Sequence, residues 1–264
     1  MSSIVLFRRL DRNVYQPPEL SIIKKYFDVV ESRVGLTNRL VIPRYSAWPF
    51  YKELEWDIEI QNSKLINSLI QYTYIADFMY YLDVKDHTPK TWFRLEDVPK
   101  DENMSFVVKG RTKSKKEDWN TKMFAKGYSK AADIACELFK DGLIHNQGVI
   151  IREFVPLKVL EVGINDLPFS NEWRFFYYKK TRLTYFYYWK IAEHGGTINQ
   201  EGLDFADMIA DKIAENTNFF VIDIAEKADG GWIMIEANCG TSSGLGEEHC
   251  DEMYGNLRKC LDNN

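Results

Sequence analysis

Cysteine is scarce in this 264-residue chain: there are four, Cys136, Cys239, Cys250 and Cys260, and no C-x-x-C pair. That pattern does not suggest a disulfide framework, and a reducing compartment is the default for a chain of this length. Cys250, Cys260 and His249 are too loosely spaced to read as a zinc site. Long apolar runs are also missing. The N-terminal Ile4–Phe7 run is too short for a signal peptide or a membrane span, so the chain is expected to be cytoplasmic with no membrane partner. The four histidines (87, 145, 194 and 249) show no pairing with a serine or cysteine nucleophile, which argues against a catalytic triad. The G-x-x-x-x-G-K-[ST] phosphate loop is absent, as are internal repeats and low-complexity tracts. Positive charge is not in excess: the net charge is −5. This argues against a general nucleic-acid or membrane-surface binder, although a local basic patch still suits phosphate, and a modified base remains open as a partner.

What the chain does contain is a soluble globular composition, 45% hydrophobic and 28% charged, with 14% aromatics concentrated between Trp173 and Trp189. Periodicity predicts a strand at 4–7, a helix over 21–30, and a helix over 63–81 with Leu65, Ile66, Leu69 and Ile70 on its apolar face. Pro43 and Pro49 break the segment between those helices. A polar stretch containing Pro89 marks a boundary, dividing residues 1–88 from 89–264. Beyond it come a strand at 104–110, a helix capped by Ser129 and ended by Gly142, and a strand stopped by Pro156. An aromatic hairpin turning near Lys180 and Thr181 follows, then an amphipathic helix over 203–216, a last hairpin and a terminal helix. Antiparallel hairpins with helices between them predict an α+β fold.

That last hairpin, FFVIDIAEKADGGWIMIEANCG, centres on Asp229-Gly230, a strong turn signal. Pairing outward sets Ala228 opposite Gly231, Glu226 opposite Ile233, Ile224 opposite Ile235, Asp223 opposite Glu236 and Val221 opposite Asn238. One face then collects Phe220, Ile222, Ile224, Ile233, Ile235 and Ala237 as core. The other carries Asp223, Glu236 and Asn238. Like charges directly opposite destabilise a ladder, so something positive is expected between them, and three oxygen donors suit a hard cation such as Mg²⁺. The alternative is a solvated hairpin whose acids point at water.

Upstream, Lys109, Arg111, Lys113, Lys115 and Lys116 put five cations in eight residues. Lys109, anchored on a strand beside Gly110, reads as a phosphate contact, whereas Lys113 and Lys116 read as solvated. The strand Ile150–Pro156 presents backbone groups of Glu153, Phe154 and Val155 to a flat ring, or is simply an edge strand. Glu172 and Arg174 share one strand face. Arg174 offers a fork for phosphate or carboxylate, or pairs with its neighbour Glu172.

Together these pieces resemble the ATP-grasp superfamily, and most nearly a clade of ATP-grasp domains found in bacteria and their phages. The phrases PRYSAWPFYKELEWD, TPKTWFR, FVVKGRTKSKKEDWNTKMFA, REFVPL, LPFSNEWRFF and IEAN carry the resemblance from about Pro43 to about Leu245. It implies two α+β subdomains clasping ATP, with a reduced N-terminal α/β region. It also implies roles. Lys109 contacts the ATP phosphates, and Ser114 and Lys115 ride in a loop over them. Glu153, Phe154 and Val155 form the adenine linker, Arg174 binds the phosphate or acyl-phosphate, and Lys190 approaches the phosphates. Asp223, Glu236 and Asn238 hold Mg²⁺. An earlier nucleotide-contacting lysine is Lys64, Lys85 or Lys90. The chemistry implied is carboxylate–amine ligation through an acyl phosphate. The alternatives are phosphorylation of a hydroxyl and a non-catalytic nucleotide-binding module.

Overall fold

A computed structural model describes residues 2–7 and 18–263. The first elements are β1 (Ser2–Phe7), α1 (Pro18–Tyr26), β2 (Asp28–Val30), β3 (Arg39–Arg44), α2 (Tyr51–Glu59), β4 (Lys64–Leu65), α3 (Leu69–Ala76) and α4 (Tyr81–Val84). Their strands form a parallel sheet in the order β2-β1-β3-β4. Pro43 lies in β3 because β4 pairs only with Leu40 and Val41, leaving the proline end with a neighbour on one side alone. The helix expected over 21–30 ends at Tyr26, and its last residues instead form β2.

The helix expected over 63–81 is two helices. Ser63 accepts from the Arg39 N–H and Lys64–Leu65 enter the sheet, so helix starts only at Ser68. There Ser68 and Gln71 cap each other reciprocally. The run breaks at Phe78, whose φ of 64° no helix accommodates.

The second group is β5 (Thr91–Trp92), β6 (Ser105–Gly110), α5 (Trp119–Lys122), β7 (Phe124–Lys126), α6 (Tyr128–Leu138), α7 (Gly142–Gln147) and β8 (Val149–Glu153). It forms an antiparallel sheet, β5-β8-β6-β7, packed on α6 through Phe106, Val108, Ile134, Leu138 and Ile151. Gly127, not Ser129, occupies the cap of α6, and Ser129 donates to Glu102 at 2.6 Å. Gly142 opens α7 rather than ending α6.

The third group is β9 (Val159–Val162), β10 (Pro168–Ser170), β11 (Glu172–Tyr178), β12 (Thr181–Tyr187), α8 (Gln200–Ile213), β13 (Phe219–Glu226), β14 (Trp232–Cys239) and α9 (Glu247–Asp262). Its antiparallel sheet runs β12-β11-β13-β14. One face packs Phe175, Tyr177, Phe220, Ile222, Ile224 and Met234 against α8. Each fully buried aliphatic there contributes about 1.5–3 kcal/mol. The other face packs Phe176, Tyr178, Phe219 and Val221 against α9, α1 and β1. The expected α+β class is borne out. Among the described residues no helix is long and apolar enough to cross a membrane.

The terminal hairpin departs from simple pairing. Asp223 does face Glu236 and Val221 faces Asn238, but a β-bulge between Asp223 and Ile224 then shifts the register by one. Ile224 meets Met234, Ala225 meets Ile233, and Glu226 meets Trp232. Trp232 and Met234 therefore take the core positions expected of Ile233 and Ile235. The turn places left-handed backbone at Gly230 (φ 94°) and Gly231 (φ 72°), one residue later than the Asp229-Gly230 reading. The Gly230 N–H donates to the Lys227 carbonyl at 3.1 Å.

Candidate active site

The alternation of β6 sends Phe106 and Val108 into the α6 core and leaves Lys109 on the opposite face. On β11 and β13 the residues following the α9-covered apolar set are Glu172, Arg174 and Asp223. The charged end of that face is not covered by α9 and meets the face of β6 that bears Lys109. Between the two sheets lies a cavity of about 400 Å³.

The walls of this cavity divide by chemistry. Met123, Phe124, Phe154, Leu157, Leu167 and Trp189 make one end apolar. Phe154 meets Phe124 edge-on with ring centroids 5.0 Å apart. The Glu153 N–H donates to the Lys90 carbonyl at 2.8 Å and the Phe154 N–H to the Ser105 carbonyl at 2.9 Å. The next N–H, that of Val155, has no partner among the described residues and lines the cavity. A flat heteroaromatic ring with an edge acceptor fits such a wall.

The other end is ionic. Arg174 donates to both oxygens of Asp223, at 2.8 and 2.7 Å, and Asp223 is fully buried. Lys109 donates to Glu236. Asn238 donates to the other Glu236 oxygen at 3.0 Å. The expected pairing of Arg174 with Glu172 gives way to one across the strands, because Arg174 lies directly opposite Asp223 in the ladder. Burial by itself would lift the Glu236 carboxyl, but Lys109, Lys116 and Arg174 overcome it and hold the group well below the usual carboxylate range. Burial likewise disfavours the Arg174 charge, and Asp223 more than restores it. The bulged Ile235 points into the cavity, and its carbonyl, released from the ladder, accepts from Arg152.

Lys116, expected to be solvated, is instead docked at this site. Its ammonium donates to the Tyr188 hydroxyl at 2.8 Å and lies 4.9 Å from the Trp189 ring centre and 3.9 Å from Glu172. Glu172, in sequence terms only a neighbour of Arg174, is buried and lines the cavity. One of its oxygens, Oε1, has no hydrogen-bond partner among the described residues. No local pattern marks either residue; the only sequence hint is the aromatic pair Tyr188-Trp189, which needs the fold to bring it to Lys116.

Burial pushes the Glu172 carboxyl up to about 7, with Lys116 opposing and Asp223 and Glu236 reinforcing the rise. A carboxyl raised on folding binds an extra proton in the native state, so its contribution to stability is complete below about pH 4.3 and lost as pH rises towards 7. In the nucleotide-free protein, Glu172→Gln is expected to flatten the fall in melting temperature between about pH 4.5 and 7. Identical pH profiles for the two proteins would remove Glu172 as the titrating group.

Other expected residues fall differently. Ser114 lines the cavity, whereas Lys115 pairs with Asp141 at 2.9 Å. Lys190 is exposed, 5.7 Å from the Phe186 ring centre, and does not line the cavity. Lys64, Lys85 and Lys90 are exposed and also lie off the lining, Lys90 being next to the lining residue Pro89. No group of three His, Cys, Asp or Glu side chains gathers into a metal-binding cluster among the described residues. The candidate donors are two carboxylates and an amide, an all-oxygen set that fits a hard cation sharing its shell with phosphate and water.

Ser114 and Glu236 also border a second cavity, of about 330 Å³, on the far side of the ion pairs. It is walled by α3, the loop after Gly110 and the segment from Ser242 to Gly244.

Comparison with known proteins agrees with this geometry. The model of an ATP-grasp domain family, the third family of its clade, matches residues 97–257. No curated protein sequence matches the chain. The crystal structure of the D-cycloserine synthetase DcsG is 14% identical, with a TM-score of 0.59, covering 98% of this chain and 100% of that one. An ATP-grasp RimK domain protein from Sphaerobacter thermophilus is 13% identical, with a TM-score of 0.58 and coverages of 97% and 99%. D-alanyl-alanine synthetase A from Vibrio cholerae is 10% identical, with a TM-score of 0.57 and coverages of 99% and 98%. At these identities the likeness is one of fold.

Proposed function

The chain belongs to that ATP-grasp domain family, and from this premise we propose that it is an ATP- and Mg²⁺-dependent ligase joining a carboxylate to an amine through an acyl phosphate. The observation that carries this reading is the pair of facing carboxylates, Asp223 and Glu236, each matched by a cation at the junction of two cavities. A solvated hairpin would not bury Asp223 completely.

The apolar cavity receives the adenine, with Val155 donating to its edge and Phe154 packing on its face. Asp223, Glu236 and Asn238 hold Mg²⁺, which when bound neutralises and bridges phosphate oxygens. Lys109 and Arg174 then exchange carboxylate partners for phosphate oxygens and stabilise charge on the transferred phosphoryl group. Ser114, at the border of both cavities, faces the reacting phosphate. Catalysis is positioning and charge neutralisation, and no protein nucleophile is required. The nucleotide-binding part begins near Pro89, and the region before it supplies one wall of the second cavity.

The test is incubation with ATP, Mg²⁺ and a metabolite extract, read by mass spectrometry. The expected product is a new mass equal to an acid plus an amine less one water, with ADP and phosphate released. A phosphoester would instead assign a kinase, and nucleotide binding without ADP formation would assign a non-catalytic module.

A further inference from the structure

The second cavity identifies the class of acid, and this inference rests on the ligase reading above. Two nearly buried side chains on its wall hold unused hydrogen-bonding capacity. Gln147, 8% exposed, accepts from Thr112 at 2.7 Å, while its amide nitrogen has no partner among the described residues. Tyr72, 7% exposed and stacked on Tyr51 at 3.8 Å, has a hydroxyl with no partner among the described residues. Water satisfies both while the cavity is wet. A ligand that displaces that water must supply an acceptor to Gln147 and a partner to Tyr72, or leave polar groups stranded.

The charges are unequal. Lys113 and Arg174 border the cavity as cations, and Lys113 makes no ion pair among the described residues. Glu236 is the one carboxylate on the wall, and Lys109 already neutralises it. A free ammonium entering here would lose its hydration without gaining a counter-charge. An anion is welcome, and so is a neutral carbonyl. The apolar floor of Trp48, Ile75 and Ala76 accommodates a hydrocarbon or flat portion.

We propose that this cavity binds the acid substrate, and that the acid is a carboxylate with a neutral, amide-bearing body, such as an N-acylated amino acid or a peptide C-terminus, rather than a free zwitterionic amino acid. The carboxylate points towards Glu236 and Ser114, where the cavities meet. Its oxygen attacks the γ-phosphorus of ATP, ADP leaves, and an acyl phosphate forms.

Hydroxylamine tests this directly. Its nitrogen attacks the acyl carbon, phosphate departs, a proton passes to solvent, and a stable hydroxamate results. The enzyme with ATP and Mg²⁺ is offered each proteinogenic amino acid in two forms, free and N-acetylated. The best N-acetyl acid is expected to give at least about tenfold more hydroxamate than its free form, the value of one uncompensated polar contact. Gln147→Leu and Tyr72→Phe are each expected to raise the KM for that acid about tenfold while leaving the KM for ATP unchanged. Free amino acids equalling or exceeding the acetylated forms would overturn the proposal while leaving the ligase reading intact. Unchanged KM values in both variants would do the same. Hydroxamate from no acid, with ATP binding retained by calorimetry, would remove the ligase reading and this inference with it.

Discussion

Glu236→Gln is expected to lower ATP-dependent ADP release by about a thousandfold while the protein still folds. The magnitude follows from losing one preorganised charge at the transferred phosphoryl group, which costs about 10²–10³ in comparable sites. The fold survives for a reason specific to this pair. Glu236 and Lys109 both line the 400 Å³ cavity. Water therefore reaches the lysine once its carboxylate partner is gone. The amide also preserves the shape that accepts from Asn238, so a loss near 1 kcal/mol, or about 3 °C in melting temperature, is expected. Calorimetry and an ADP-release assay on the same preparation separate the two effects. Undiminished ADP release from Glu236→Gln would falsify the metal role of the facing carboxylates.

Arg174→Met is expected to be the most destabilising change in the site, by about 3–5 kcal/mol and about 10 °C. It leaves Asp223, fully buried, without the two hydrogen bonds that Arg174 donates. Water has no route to a carboxylate at that depth, so the charge is either stranded or protonated. A second substitution identifies the cause. Asp223→Asn in the Arg174→Met background removes the stranded charge and is expected to recover about half of the loss, a non-additivity that two independent sites do not show. If the double variant melts at the temperature expected from simple addition, the buried ion pair is not what Arg174 contributes to stability. Activity is expected to be absent from both single variants, since Arg174 also faces the second cavity.

The two predictions differ because neighbouring ion pairs sit at different depths, and depth is not written in any local pattern. The facing of Asp223 and Glu236 is legible in the sequence, since both lie in one alternating hairpin. The bulge beside them is not. It depends on Arg152, from a different sheet, donating to the Ile235 carbonyl. Without that arginine the apolar pattern Ile233-x-Ile235 reads as core, and with it Met234 and Trp232 become core. Lys116 escapes a sequence reading for a similar reason. A run of cations looks solvated until the chain returns, some seventy residues later, with Tyr188, Trp189 and Glu172 to receive one of them.

Short stretches of the chain suffice for the α+β class, the strand that carries Lys109, the linker at Glu153–Val155 and the two acids set across a hairpin. Each of these is a local property, readable from alternation, turn chemistry and residue type over a few neighbours. Only the folded arrangement settles which cation meets which acid, that Lys116 is docked and Lys190 is not, and that a second cavity opens beside the first. Those outcomes depend on contacts between segments far apart in the chain, where burial sets the strength of every charge and no periodicity records who the partner is.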